Sequence, residues 1–200
     1  MVRSGIAALS CYITDMGIKL QKYKLTVAAF VVILMQGVPV AAQSVTSELV
    51  EQLKTAELSE VAGIERALKL EWSKSGSTAL DLLLRRGLAA MAEGQLALAI
   101  EHLTALTDQA PDFAEGWHAR ARAYFAADLI GPAMGDLQRS LALNPDNYDT
   151  VFGLGSVMMT IGDEILAEKA FREVLRLHPH HENATNALKR LEGQDIGQSL

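Results

Sequence analysis

The chain has 200 residues, 24 Asp and Glu against 18 Lys and Arg, and one cysteine. That length leaves room for one domain behind a leader. A net charge of −6 with no basic stripe argues against nucleic acid or an anionic lipid surface as a main partner.

The first third differs in kind from the rest. Lys19, Lys22 and Lys24 precede an apolar run over 25–35, followed by Gln36, Gly37, Pro39 and Val40-Ala41-Ala42-Gln43. This is the layout of a basic region, an apolar core, a breaker and a small-residue cleavage site. The run is short for a bilayer span of ~20 residues. Residues 1–42 therefore read as a signal peptide cut between Ala42 and Gln43. The alternative is an N-terminal membrane anchor. Residues 1–15 carry Asp15 and Cys11 and fit a brief basic region poorly, so translation from Met16 stands beside a long but genuine one. Removing 1–42 takes Arg3, Lys19, Lys22, Lys24 and Asp15, leaving 14 basic and 23 acidic side chains, a net charge of about −9. A mature chain free of cysteine suits an oxidising compartment without requiring one. It also argues against a lipid-anchored N-terminus.

Residues 46–73 read as helical. Leu49, Val50, Leu53, Val61, Ile64, Leu68 and Trp72 recur at three- and four-residue steps, with Ser59 as a cap dividing two helices. Ser73-Lys-Ser-Gly-Ser77 breaks the pattern. The segment 43–79 is expected to cap the next unit, 80–113, with Trp72 packing onto it.

A 34-residue period then runs through the chain. Ala99, Ala133 and Ala167 keep it, as do Leu103, Leu137 and Phe171, and Pro111, Pro145 and Pro179. Gly87, Ala121 and Gly155 keep it upstream. Such a period marks stacked units, none of which buries its own apolar face alone. The small residues let two helices approach closely. The prolines stop each second helix. Gly94 and Gly162 mark turns inside units one and three. Pro132 falls at a helix start, where its missing N–H costs nothing. Asp112 and Glu115 have the spacing of a capping box, and Asp146 stands in the equivalent place one repeat later.

The motifs Trp117-x-x-Arg120-Ala121-x-x-Tyr124, Val151-x-x-Leu154-Gly155-x-x-Met158 and Leu83-x-x-Arg86-Gly87-x-x-Ala90, each followed by the Ala and Pro signposts, resemble the tetratricopeptide repeat. The resemblance covers about residues 80–181, with Arg86, Arg120 and Ala90 as departures. It implies an all-α, right-handed solenoid of helix–turn–helix units at 80–113, 114–147 and 148–181. A solvating helix over 182–193 and a disordered tail over 194–200 complete the expectation. The segment before Leu82 also looks like that of bacterial exported repeat proteins. Trp117 and Tyr124 are expected in the core.

In this family the first helices line a concave groove. Carried over by position, the lining is Asp81, Leu84, Leu88 and Met91, then Glu115, His118, Arg122 and Phe125, then Asp149, Phe152, Ser156 and Met159. The eight residues assigned to partner binding are Leu88, Met91, His118, Arg122, Phe125, Phe152, Ser156 and Met159. Met and Phe suit adaptable recognition of a peptide or helix. His118 and Arg122 form its basic spot. The residues with which cytosolic co-chaperone repeats grip a C-terminal carboxylate are missing: Leu84, Leu88, Ala119, Asp149 and Gly153 stand there.

His178-Pro179-His180-His181-Glu182 is the one metal-like cluster. It falls in the turn before the last helix, where adjacent side chains rarely converge, so it reads as a solvated turn, with metal handling as the alternative. No nucleophile motif or phosphate loop is present. The sequence thus predicts a non-enzymatic, cofactor-free module of the cell envelope that binds another protein or peptide. A membrane enters only if the leader is retained.

Overall fold

A computed structural model describes residues 40–198. The signal peptide and the Met16 start lie outside them, apart from the first residues of the first helix. Ser44 onward forms one unit. Among the described residues there are nine helices: α1 (Val40–Thr55), α2 (Leu58–Trp72), α3 (Thr78–Ala92), α4 (Leu96–Gln109), α5 (Ala114–Ala126), α6 (Ile130–Leu143), α7 (Tyr148–Ile161), α8 (Glu164–Leu177) and α9 (Glu182–Gln198). None is long and apolar enough to cross a membrane.

The pairs α3/α4, α5/α6 and α7/α8 are the three repeats. Each pair closes on a small residue. A Cβ at Gly87 would stand 2.5 Å from Leu103 Cγ, and one at Gly155 2.6 Å from Phe171 Cε1. Ala121 fills the same place in the middle repeat and is buried. The close packing that the period implies is therefore a contact between residue 87, 121 or 155 and the large residue 16 positions on. Gly94 and Gly162 adopt φ of +72° and +82°, and Asp128, one period from each, adopts +60°. All three turns inside repeats are left-handed, a conformation that costs a side-chain-bearing residue more than glycine.

Three capping expectations fail. Asp112 makes no cap bond; Phe113 is the residue before α5, and Glu115 is drawn to His118 instead. In the next repeat Asn147, not Asp146, caps α7 through Oδ1, which accepts from Thr150 N–H at 3.1 Å. The break between α1 and α2 is set by Glu57, whose N–H donates to Glu60 Oε2, rather than by Ser59. At the other end α9 continues past Gly193 to Gln198, because a lone glycine costs a helix only ~1 kcal/mol.

The largest correction concerns α1 and α2. They do not cap repeat one. Val50, Leu53, Val61 and Leu68 share one apolar core with Tyr148, Val151, Phe171, Val174 and Leu177 of repeat three and with Ala184, Ala187 and Leu191 of α9. Repeat one and α5 bury a separate cluster around Leu84, Leu103, Leu106, Ala119 and Ala123. Trp72 accordingly meets Tyr148, with ring centroids 5.4 Å apart, and not repeat one.

Candidate partner-binding cleft

The N-terminal helix pair is pinned by the histidine turn. His178 is fully buried and its Nε2 donates to Glu65 Oε1 at 2.6 Å. His180 Nε2 donates to the Ala56 carbonyl at 3.1 Å. His181, also buried, caps α9: its Nδ1 accepts from Ala184 N–H at 3.1 Å. That bond requires a neutral ring. Burial pushes the His181 imidazole below its usual range, and the neighbouring His178 adds to the shift. The turn is therefore a fastener, not a solvated loop. Its three rings point to three different partners, and among the described residues no group of three His, Cys, Asp or Glu side chains is placed to hold a metal ion.

Tyr148 sits at the centre of this junction, edge-on to His178 with centroids 4.9 Å apart. Burial pushes its hydroxyl well above the usual phenol range. Among the described residues, the Tyr148 hydroxyl and His178 Nδ1 are the buried side-chain atoms left without a hydrogen-bond partner.

Helix α2 also completes the concave face. Lys69 reaches Asp149 Oδ2 at 3.4 Å. Together with His118, Arg122, Phe125, Phe152, Gly153 and Ser156 these two line a cleft of about 380 Å³. Five of the eight residues assigned from sequence thus meet in one place. The other three lie apart. Leu88 and Met91 are half-buried against the core of repeat one, and Met159 is half-buried against that of repeat three. Two further groove assignments fail outright. Leu84 is a core residue, and Asp81 turns back to hold the 73–77 linker, accepting from Ser75 N–H at 2.8 Å. The Ser75 bonds hold the Asp81 carboxyl below its ordinary range.

The charge of the cleft also differs from expectation. His118 is buried and its Nδ1 lies 3.1 Å from Glu115 Oε2, so it is not an open basic spot. Arg122 is exposed and has no polar partner among the described residues. Lys69, which nothing in the repeat spacing points to, is the second cation. Only the fold of α2 across the stack brings it there.

Trp117 is not a core aromatic. It is half-buried on the repeat surface, where its Nε1 donates to the Pro111 carbonyl at 3.0 Å. The Arg120 guanidinium lies 4.8 Å from its ring centroid, and 5.6 Å from that of Tyr124, which is half-buried too. Arg120, at a position where the repeat usually carries Leu, makes a two-pronged pair with Asp136: Nε donates to Oδ2 at 2.7 Å and Nη2 to Oδ1 at 2.9 Å. Nη1 donates to Thr107 Oγ1 at 2.8 Å. The Asp136 bond raises the Arg120 pKa further. Asp136, 16 residues on, is what lets an arginine replace the usual leucine.

No family model matches the chain. A TPR repeat-containing protein of Rhizobium etli is 26% identical over 145 residues, 72% of this chain and 71% of that protein. Two solved structures superpose well. The first TPR domain of the Spaghetti protein, bound to the HSP90 peptide SRMEEVD, has a TM-score of 0.56 and 25% identity, over 58% of this chain and 93% of that domain. MamA has a TM-score of 0.55 and 26% identity, over 66% and 75%. The chain folds as a stack of tetratricopeptide-like repeats, similar to these proteins.

As a tetratricopeptide-repeat stack it departs from the simple pattern in two ways. Its N-terminal helices fold back onto the last repeat and α9. Its middle repeat exchanges an apolar packing residue for the Arg120–Asp136 pair. The first departure sets Lys69 of α2 beside the first helices of repeats two and three in the cleft.

Proposed function

We propose that the protein is a non-catalytic binding module that holds a peptide or helix of another protein in the cleft between α2, α5 and α7. The observation that carries this reading is the unpaired Arg122 beside Phe125, itself 37% exposed, and Phe152. An uncommitted guanidinium next to open aromatic surface suits a ligand with an acidic group beside an apolar anchor. The peptide held by the Spaghetti repeat domain gives general support for a peptide ligand. The ligand here is not a bare C-terminal carboxylate, since Leu84, Leu88, Ala119, Asp149 and Gly153 occupy the positions such a grip needs.

The leader-like layout of residues 1–42 supports a place in the cell envelope after cleavage at Ala42. Intact mass of the protein isolated from cells tests this. A mature chain that keeps Val31 to Met35 would make it a membrane-anchored tether instead. The binding reading is tested on a partner captured from envelope extract. Arg122→Glu should weaken that complex and flatten its salt dependence. Phe125→Ala should weaken it with little change in salt dependence. If the double variant folds and binds as wild type does, the cleft is not the site.

A further inference from the structure

A second surface lies away from the cleft, on the edge formed by the turns inside the repeats. The segments 93–98, 127–132 and 161–166 recur at the 34-residue period and line up along that edge. They expose a row of large apolar side chains: Leu98, Leu129, Ile161, Ile165 and Leu166 are 38%, 44%, 52%, 68% and 45% accessible. Half of the large apolar residues exposed among the described residues belong to this row. Monomeric domains seldom gather such residues in one strip without using it.

The charged residues within the three segments are all acidic. Glu93, Asp128, Asp163 and Glu164 lie in these segments, which contain no Lys, Arg or His. Outside them the nearest cations in sequence are Lys169, one turn further along α8 in a cavity it shares with Leu166 and Glu173, and Arg122 of the cleft. The opposite edge, where repeat joins repeat, is instead covered in part by α2 and carries Arg139 and the histidine turn.

We infer that this edge docks an amphipathic helix of a partner whose apolar face is flanked by Lys or Arg. Apolar anchors fill the row and the flanking cations meet the four carboxylates. The same charge pattern disfavours the other occupants. A second copy would set acidic row against acidic row, and an anionic lipid surface would be repelled.

The test uses the full chain and a fluorescein-labelled, Leu–Lys amphipathic helical peptide at near-physiological salt, with a Leu–Glu peptide of the same pattern as control. The Leu–Lys peptide should bind, and more weakly as salt rises. Leu129→Gln/Ile165→Gln, both at exposed positions, should weaken it about tenfold or more through lost apolar contact. Arg122→Glu, in the cleft, should change it by less than about twofold. Equal binding of the Leu–Glu peptide, no effect of the edge variant, or marked tightening by Arg122→Glu would overturn the inference. So would a wild-type dimer that the edge variant dissociates, or edge-dependent binding to phosphatidylcholine–phosphatidylglycerol vesicles in place of the peptide.

Discussion

His178 Nε2 and Glu65 Oε1 stand 2.6 Å apart across 113 positions of sequence. This one bond ties α2 to the end of repeat three, and it is made by a ring that is fully buried. Its other nitrogen has no partner among the described residues. Glu65→Ala would therefore leave both nitrogens of the buried His178 ring without a protein partner. The expected loss is about 1–3 kcal/mol, the cost of stranding a buried polar group. Urea unfolding of the two proteins measures it. Hydrogen exchange should show the loss first in α1 and α2.

His181 makes stability depend on pH. Its folded pKa is lowered, chiefly by burial, so the unfolded chain takes up a proton at a higher pH than the folded one. The contribution is complete above the unfolded value of about 6.5 and is lost as pH falls through the lower folded value. Melting temperature should fall as pH drops below about 6.5. His181→Asn keeps a neutral acceptor at the head of α9 and should flatten that part of the profile.

Much of the stack is legible in the sequence because its signals are local or periodic. The 34-residue step places Gly87, Ala121 and Gly155 against Leu103, Leu137 and Phe171, and the prolines mark where second helices stop. The illegible part depends on pairs that share no spacing rule. Nothing local links Glu65 to His178, or Trp72 to Tyr148, so α1 and α2 read as a cap on the repeat that comes after them. The polar composition of the histidine turn suggests solvent and hides that another element lies over it. Lys69 carries no signal for the same reason. Trp117 misleads by position. The first-helix aromatic site is usually internal, but here Arg120 and Asp136 occupy the inter-helix space and the indole lies outside them.

That exchange sets an order of mutational costs in repeat two. Asp136→Ala leaves Arg120 charged and nearly buried without its partner, and should cost about 3 kcal/mol. Trp117→Ala removes a half-buried ring and should cost about 1–2 kcal/mol, less than the ~3–5 kcal/mol of an emptied aromatic core site. Arg120→Leu/Asp136→Leu should recover most of what Asp136→Ala loses. Denaturant midpoints of the three variants give the ranking directly.

Asp128 holds a left-handed backbone where Gly94 and Gly162 stand in the other repeats. Asp128→Gly should raise stability by about 0.5 kcal/mol. The gain is modest because aspartate tolerates this region better than most residues. A small rise in melting temperature is the readout, and a fall would show that the Asp128 side chain has a role of its own.

The most direct test of the binding account is an amide chemical-shift map. A peptide is first selected from a displayed library on the immobilised protein, then titrated into the isotope-labelled chain. The account predicts that the largest changes fall on Arg122, Phe125, Phe152 and Ser156, with Lys69 of α2 moving with them, and that the selected peptides carry an acidic residue beside an apolar one. Changes confined to the second helices α4, α6 and α8, with the cleft unmoved, would contradict it.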